Sequence, residues 1–238
     1  MTSNLSPNTY HLSPITYHLS LIKVAGFQKN SFVDWPGKIC SVIFLGGCNF
    51  DCYYCHNRDI LCGTSNKIPL TEVLPQIKEQ IGFIDGVCIS GGEPTVHPHL
   101  REIIMAVRAL GLPVKLDTNG SNFNILKQLV EDGLVDFVAM DIKAPLEKYE
   151  QIVGPMENGK WNMEDVRKSI EFLKNWAQSC APTSHSKLSS FSSHLSSAPK
   201  VQFRTTPCPE LTENDFDEIK KLTGRVRWVK NHFITPNA

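Results

Sequence analysis

The sequence predicts an α/β fold, an open arc of six strand–helix units that amounts to a partial (β/α)6 barrel. Two observations lead there. Six short apolar, β-branched runs alternate with amphipathic helical patterns, which implies parallel strands joined by helical crossovers. The chain of 238 residues, once two segments of foreign composition are set aside, is also too short for the eight units of a closed barrel, which takes about 250 residues.

The first strand is predicted over residues 39–45, where Ile39-Cys40-Ser41-Val42-Ile43-Phe44-Leu45 reads as a buried run. A helix over 71–81 follows, with Val73, Leu74 and Ile77 on one face, and then a strand over 86–90 around Val87, Cys88 and Ile89. The helix over 98–110 carries Leu100, Ile103, Ile104 and Val107 at helical spacing, and the third strand covers 113–117. Leu126, Leu129 and Val130 mark a helix over 122–132; Phe137 to Met140 form the centre of a strand over 136–142. A helix over 162–177 and a strand over 200–205 come next. The helix over 212–222 opens with Thr212 three residues before Asp215, close to a capping box, and the last strand is predicted over 226–230.

Two segments stand apart. Leu5-Ser6-Pro7-Asn8-Thr9-Tyr10-His11 is echoed by Leu12-Ser13-Pro14-Ile15-Thr16-Tyr17-His18, one leucine per seven residues with a helix-breaking proline. That is no coiled-coil seam, so residues 1–22 are expected to be a disordered tail. Residues 178–199 are rich in serine and read as an insertion in a surface loop, which leaves 23–238 as one folded unit interrupted at that loop. No metal role is expected for His11, His18, His185 or His194, which lie in these segments.

Hydrophobic residues make up 41% of the chain, enough for a sizeable core, and 24 basic residues balance 24 acidic ones. Balanced charge gives no global field for nucleic acid or an anionic membrane. With no run of about 18 or more apolar residues and no signal-peptide pattern at the N-terminus, a cytoplasmic protein is expected. In a reducing compartment its eight cysteines are metal ligands or buried thiols. Cys40 and Cys88 fall inside strand patterns as core residues, and Cys62, Cys180 and Cys208 have no partner spacing.

Parallel α/β sheets bind ligands at the carboxyl ends of their strands. Here those ends carry chemistry. The first strand runs into Cys48, Cys52 and Cys55, three thiols within eight residues, one short of a closed zinc or electron-transfer site. A zinc knuckle completed by His56 or Cys62 is the alternative, although no second Cys or His pair follows at zinc spacing. The second strand ends in Gly91-Gly92-Glu93-Pro94, the third in Asp117-Thr118-Asn119-Gly120, the fourth in Asp141-Ile142-Lys143, and the fifth in Arg204-Thr205-Thr206. Read singly, the glycine pair and Asn119-Gly120 are ordinary turns and Asp141 with Lys143 an ion pair.

Taken together, the Cys-x3-Cys-x2-Cys spacing with Tyr54 before the last cysteine, and Gly91-Gly92-Glu93 about forty residues on, resemble the radical S-adenosylmethionine (SAM) enzymes. Asp117 to Gly120 and Asp141 to Lys143 resemble the branch that activates glycyl radical enzymes. The segment Gly26 to Lys38 is similar to the activating proteins of anaerobic ribonucleoside-triphosphate reductase, although Trp35-Pro36-Gly37 also reads as a plain turn. The resemblance implies a TIM-like partial barrel and a [4Fe-4S] cluster on Cys48, Cys52 and Cys55, with SAM filling the open iron. It implies that Gly91, Gly92 and Glu93 hold the methionine amino group, that Asp141 and Lys143 hold the amino-acid or ribose portion, and that Arg204 meets the SAM carboxylate. Tyr54 would pack near the adenine, Asp117 and Thr118 would offer oxygens to a monovalent cation found in some members, and Asn119 would belong to the cofactor-binding set. A glycyl radical enzyme would be the protein substrate, most directly that reductase, with reduced flavodoxin or ferredoxin as electron donor. Pyruvate formate-lyase activases share these motifs, and a radical SAM enzyme for a small molecule or peptide, or an electron-transfer protein, are the other readings.

Overall fold

The computed structural model describes residues 19–61, 67–156, 161–179 and 200–232. The repeat ending at His18 and nearly all of the serine-rich insertion, with Cys62 and Cys180, lie outside the described residues.

The elements in chain order are β1 (Lys23–Val24), β2 (Gly26–Trp35), β3 (Lys38–Leu45), α1 (Arg58–Leu61), β4 (Ile68–Pro69), α2 (Leu70–Lys78), β5 (Gly86–Gly91), α3 (Leu100–Arg108), β6 (Val114–Thr118), α4 (Phe123–Glu131), β7 (Phe137–Asp141), α5 (Tyr149–Val153), α6 (Met163–Ser179), β8 (Val201–Thr205), α7 (Glu213–Thr223) and β9 (Trp228–Lys230). One seven-stranded sheet has the order β2-β3-β5-β6-β7-β8-β9, and β1 pairs with β4 beside it. From β3 to β9 every pairing is parallel and strictly sequential, so the six predicted strands form an open six-stranded arc.

Strands covered on both faces must be apolar on both, which is why they read as nearly continuous runs. The two faces nevertheless bury different sets. Ile43, Leu45, Val87, Ile89, Val114, Leu116, Val138, Met140, Val201 and Phe203 share one cluster with the helix residues Leu100, Ile103, Leu126, Ile170 and Ile219. The opposite, inner face gathers Trp35, Cys40, Val42, Cys88, Phe137 and Ala139. Cys40 and Cys88 are therefore core residues, and the alternating positions Lys115, Asp117 and Arg204 share their face by the two-residue period of a strand.

Three differences from the sequence expectation have local causes. The tail expected over residues 1–22 ends sooner, because Ile22 is 1% exposed in the core and its carbonyl accepts from Leu70 N at 2.9 Å. The strand Gly26–Trp35 is an edge strand, antiparallel to β3 and joined to it through Pro36 and Gly37, which has φ 72°. Its polar middle, Gln28 to Ser31, hides a strand because one edge needs no partner, and its register shifts twice. The last strand starts at Trp228 instead of 226, because Val226 N bonds Thr223 O and is used up in the turn that ends α7. The cap of α7 forms as expected: Asp215 N donates to Thr212 Oγ1 at 3.3 Å and Thr212 N to Asp215 Oδ2 at 2.7 Å.

Candidate active site

The carboxyl ends of the parallel strands open on a cavity of about 680 Å³, within the size range of small-molecule sites. Cys48, Cys52, Tyr54, Cys55, Gly91, Gly92, Asp117, Thr118, Asn119, Asp141, Lys143 and Arg204 all line it. Of the expected site residues, Glu93 alone is turned away. The cavity is also lined by Val33 and Asp34 of one sheet edge and by residues 229–232 at the other.

The cysteine loop is framed from several sides. Phe50 stacks edge-on against Trp161 at 5.0 Å and against Tyr149 at 6.2 Å, an aromatic floor under the loop. Asp51 N donates to Val153 O at 2.8 Å, and the Arg58 guanidinium reaches Asp51 Oδ1 at 2.7 Å and Cys52 O at 3.1 Å. Asn49 ties the loop to the end of β6, donating to Ser121 Oγ at 2.7 Å and accepting from Asn119 Nδ2 at 3.0 Å. Phe50 N points at Cys48 Sγ, 3.4 Å away. Burial pushes the Cys48 thiol up to about 12, opposed by the Phe50 amide and by Lys143, and pushes Cys52 in the same direction. Metal binding must therefore displace protons from these thiols.

The glycine pair works through its backbone. Gly91 has φ 119°, and a Cβ there would lie 2.3 Å from Leu45 O and 2.5 Å from Leu45 N, so only glycine fits between β5 and β3. Glu93 is 1% exposed and its carboxylate faces inward, accepting from Thr95 N at 3.0 Å, Thr95 Oγ1 at 2.5 Å, Thr118 Oγ1 at 2.7 Å and Asn119 N at 2.6 Å. It clasps the ends of β5 and β6 together. Burial raises its pKa against these four donors.

The inner face of β6, β7 and β8 carries a chain of alternating charges. Lys115 Nζ meets Asp117 Oδ1, Asp117 Oδ2 accepts from Ser90 Oγ at 3.0 Å and from Arg204 Nη1 at 3.3 Å, Arg204 Nε reaches Asp141 Oδ1 at 2.8 Å, and Lys143 Nζ reaches Asp141 Oδ2 at 2.9 Å. Burial raises both carboxyl pKa values, but the neighbouring cations prevail: Arg204 and Lys115 hold Asp117 below its usual range, and Arg204 and Lys143 hold Asp141 well below it. Three cations against two carboxylates leave one positive charge in excess. That excess favours an anionic ligand group. Sequence reasoning missed Lys115, Asn49 and Ser121; the alternation of Val114, Lys115, Leu116 and Asp117 was the available signal for the first.

Among the described residues no three Cys, His, Asp or Glu side chains are set around a single ion. The donor set is what decides the fit. Three thiols lining one cavity suit an iron–sulfur cluster, and one fewer thiolate than a closed cluster takes leaves a position for another ligand. Arg204 and Lys143 on the same cavity suit a carboxylate-bearing one.

Comparison with known proteins agrees. The model of the family described as the Radical SAM superfamily matches residues 42–176. A candidate glycyl-radical enzyme activating enzyme of Methanocaldococcus jannaschii is 36% identical over 152 residues, 63% of this chain; the chain thus spans less than two thirds of that relative, 62% of its length. The pyruvate formate-lyase-activating enzyme of Clostridium pasteurianum is 29% identical over 88% of this chain and 78% of its own. Among solved structures, TYW1 with a lysine-pyruvate adduct bound superimposes on 84% of this chain and 66% of its own with a TM-score of 0.54 at 15% identity, a likeness of fold.

Proposed function

Because the chain belongs to the radical SAM superfamily, we propose that it is an activating enzyme that cleaves SAM reductively at a [4Fe-4S] cluster and generates a glycyl radical on a partner protein. The observation that carries this is the single cavity in which Cys48, Cys52 and Cys55 share walls with Arg204 and Lys143. When bound, the cluster and SAM supply one-electron cleavage of a carbon–sulfur bond and a hydrogen-abstracting radical.

The chain's own residues bind, orient and exclude water. Cys48, Cys52 and Cys55 hold the cluster through their thiolates. Arg204 and Lys143 attract the carboxylate of the amino-acid end, and Asp141, bonded to both, fixes their direction. Backbone carbonyls beside Gly91 and Gly92 accept from the ammonium, which the absence of side chains permits at close range. Tyr54, buried against the loop, supplies a flat apolar surface for the base. The border between the two sheet edges is the side by which a glycine-bearing segment would enter, since an open arc lacks the closing strands of a barrel.

The partner favoured is anaerobic ribonucleoside-triphosphate reductase, supported by the entry segment Gly26 to Lys38, with reduced flavodoxin or ferredoxin as electron source. The length of chain aligned with the Clostridium pasteurianum enzyme supports pyruvate formate-lyase as the second partner to try. The test is anaerobic reconstitution with iron and sulfide, then SAM, dithionite and each candidate partner. A glycyl radical signal on the partner and release of 5′-deoxyadenosine are expected, and Cys52→Ala should abolish both. Iron uptake with no 5′-deoxyadenosine would exclude the reading.

A further inference from the structure

Lys115 is 1% exposed, in the middle of the sheet, with Cys88 and Phe137 as its register partners on the adjoining strands. An ammonium taken out of water between a thiol and a phenyl ring is costly unless a counter-charge meets it. Asp117 does so through Oδ1, and Cys88 Sγ lies 3.5 Å from Nζ. Lys115 does not itself line the cavity. Its effect must run through Asp117.

The oxygens that the family resemblance assigns to a monovalent cation are already engaged. Asp117 Oδ1 is taken by Lys115, and Oδ2 by Ser90 and Arg204. Thr118 Oγ1 gives its proton to Glu93 at 2.7 Å and accepts from Gly120 N at 3.0 Å. Both oxygens of Asp141 hold cationic nitrogens. A hard metal cation needs several oxygens turned toward it, and these oxygens are turned to other partners. The donor set does not fit one.

We propose that the Lys115 ammonium is a built-in counter-cation that stands in for a monovalent metal ion beside Asp117. Lys115 is then a positioning residue: it holds Asp117, Asp117 holds Arg204, and Arg204 with Lys143 presents the excess positive charge to the ligand. The consequence is a site independent of alkali ions. This rests on the proposed function only in naming SAM as the occupant.

The test compares KCl, NaCl and tetramethylammonium chloride at equal ionic strength. Melting of the full chain without cluster or SAM should be the same in all three, and calorimetric SAM affinity of the reconstituted protein should agree within about twofold. Lys115→Met should weaken SAM binding about tenfold or more in tetramethylammonium, for loss of a nearby unit charge in a shielded site. Potassium or sodium should restore that binding and raise the melting temperature of the variant saturably. Lys115→Arg, which keeps the charge, should stay indifferent to the salt. A saturable alkali requirement in the unsubstituted protein overturns the proposal, as does Lys115→Met binding SAM like the parent in tetramethylammonium. If Lys115→Met does not fold, the parent and Lys115→Arg decide by the same salt comparison. Absence of 5′-deoxyadenosine would sink the SAM reading instead, since the melting comparison uses no SAM.

Discussion

Replacing Gly91 with alanine separates two costs that a left-handed glycine usually confounds. At Gly91, φ is 119° and the new Cβ would meet Leu45 O at 2.3 Å and Leu45 N at 2.5 Å, both backbone atoms of the paired strand. The conformation costs about 1–3 kcal/mol, overpacking about 1–3 more, and the Gly92 N to Leu45 O bond, 2.9 Å long, adds roughly 0.5–1.5 if it opens. The sum is about 2.5–7.5 kcal/mol. Gly133 is the control, because its φ is 65° and an added Cβ meets nothing within 4 Å. Gly133→Ala should lose only the left-handed penalty, about 1–2 kcal/mol. At about 2–4 °C per kcal/mol for a chain of this size, Gly91→Ala should melt roughly 5–30 °C below the parent and Gly133→Ala roughly 2–8 °C below, by calorimetry on cluster-free protein. Gly91→Ala should also lose SAM binding, as Leu45 anchors the start of the cysteine loop. Equal losses for the two variants would refute the steric argument.

Asp141→Asn leaves Arg204 and Lys143 short of a counter-charge and should cost roughly 2–4 kcal/mol, less than for a fully buried pair because these side chains keep some exposure. The native Asp141 pKa lies below its unfolded value, so its stabilisation is present above about pH 4 and fades as pH falls toward the folded value. Urea titrations of the two proteins should therefore converge under acid; a constant gap from pH 7 to pH 3 would count against the ion-pair account. Trp161→Ala removes a wall of the aromatic floor beneath Phe50 and should cost about 3–5 kcal/mol. Iron retained per chain after gel filtration should fall with it, and unchanged iron content would show that the floor does not support the loop.

Much of the fold is legible because its strands are covered on both faces and its helices bury one stripe, so strand runs and helix periods stay distinct. The strand ends followed from the architecture, and with them the cavity-lining Cys48, Asp117, Asp141 and Arg204. Edge strand β2 was hidden by its polar middle, since only β3 dictates its register. Glu93 shows a subtler limit. Its motif points at the ligand, whereas its carboxylate closes on Thr95, Thr118 and Asn119, and only three-dimensional proximity between the ends of β5 and β6 reveals that. Lys115 reads as an ordinary polar strand position until its neighbours Cys88 and Phe137 are known to enclose it.

The hydrogen bond from Asp51 N to Val153 O, across about a hundred residues of chain, has a temporal consequence. During synthesis the three thiols leave the ribosome long before the segment that frames them. Asn49 waits for Asn119 and Ser121, Phe50 for Tyr149 and Trp161, and Asp51 for Val153. The frame of the cysteine loop is therefore complete only once the chain has been made as far as Trp161.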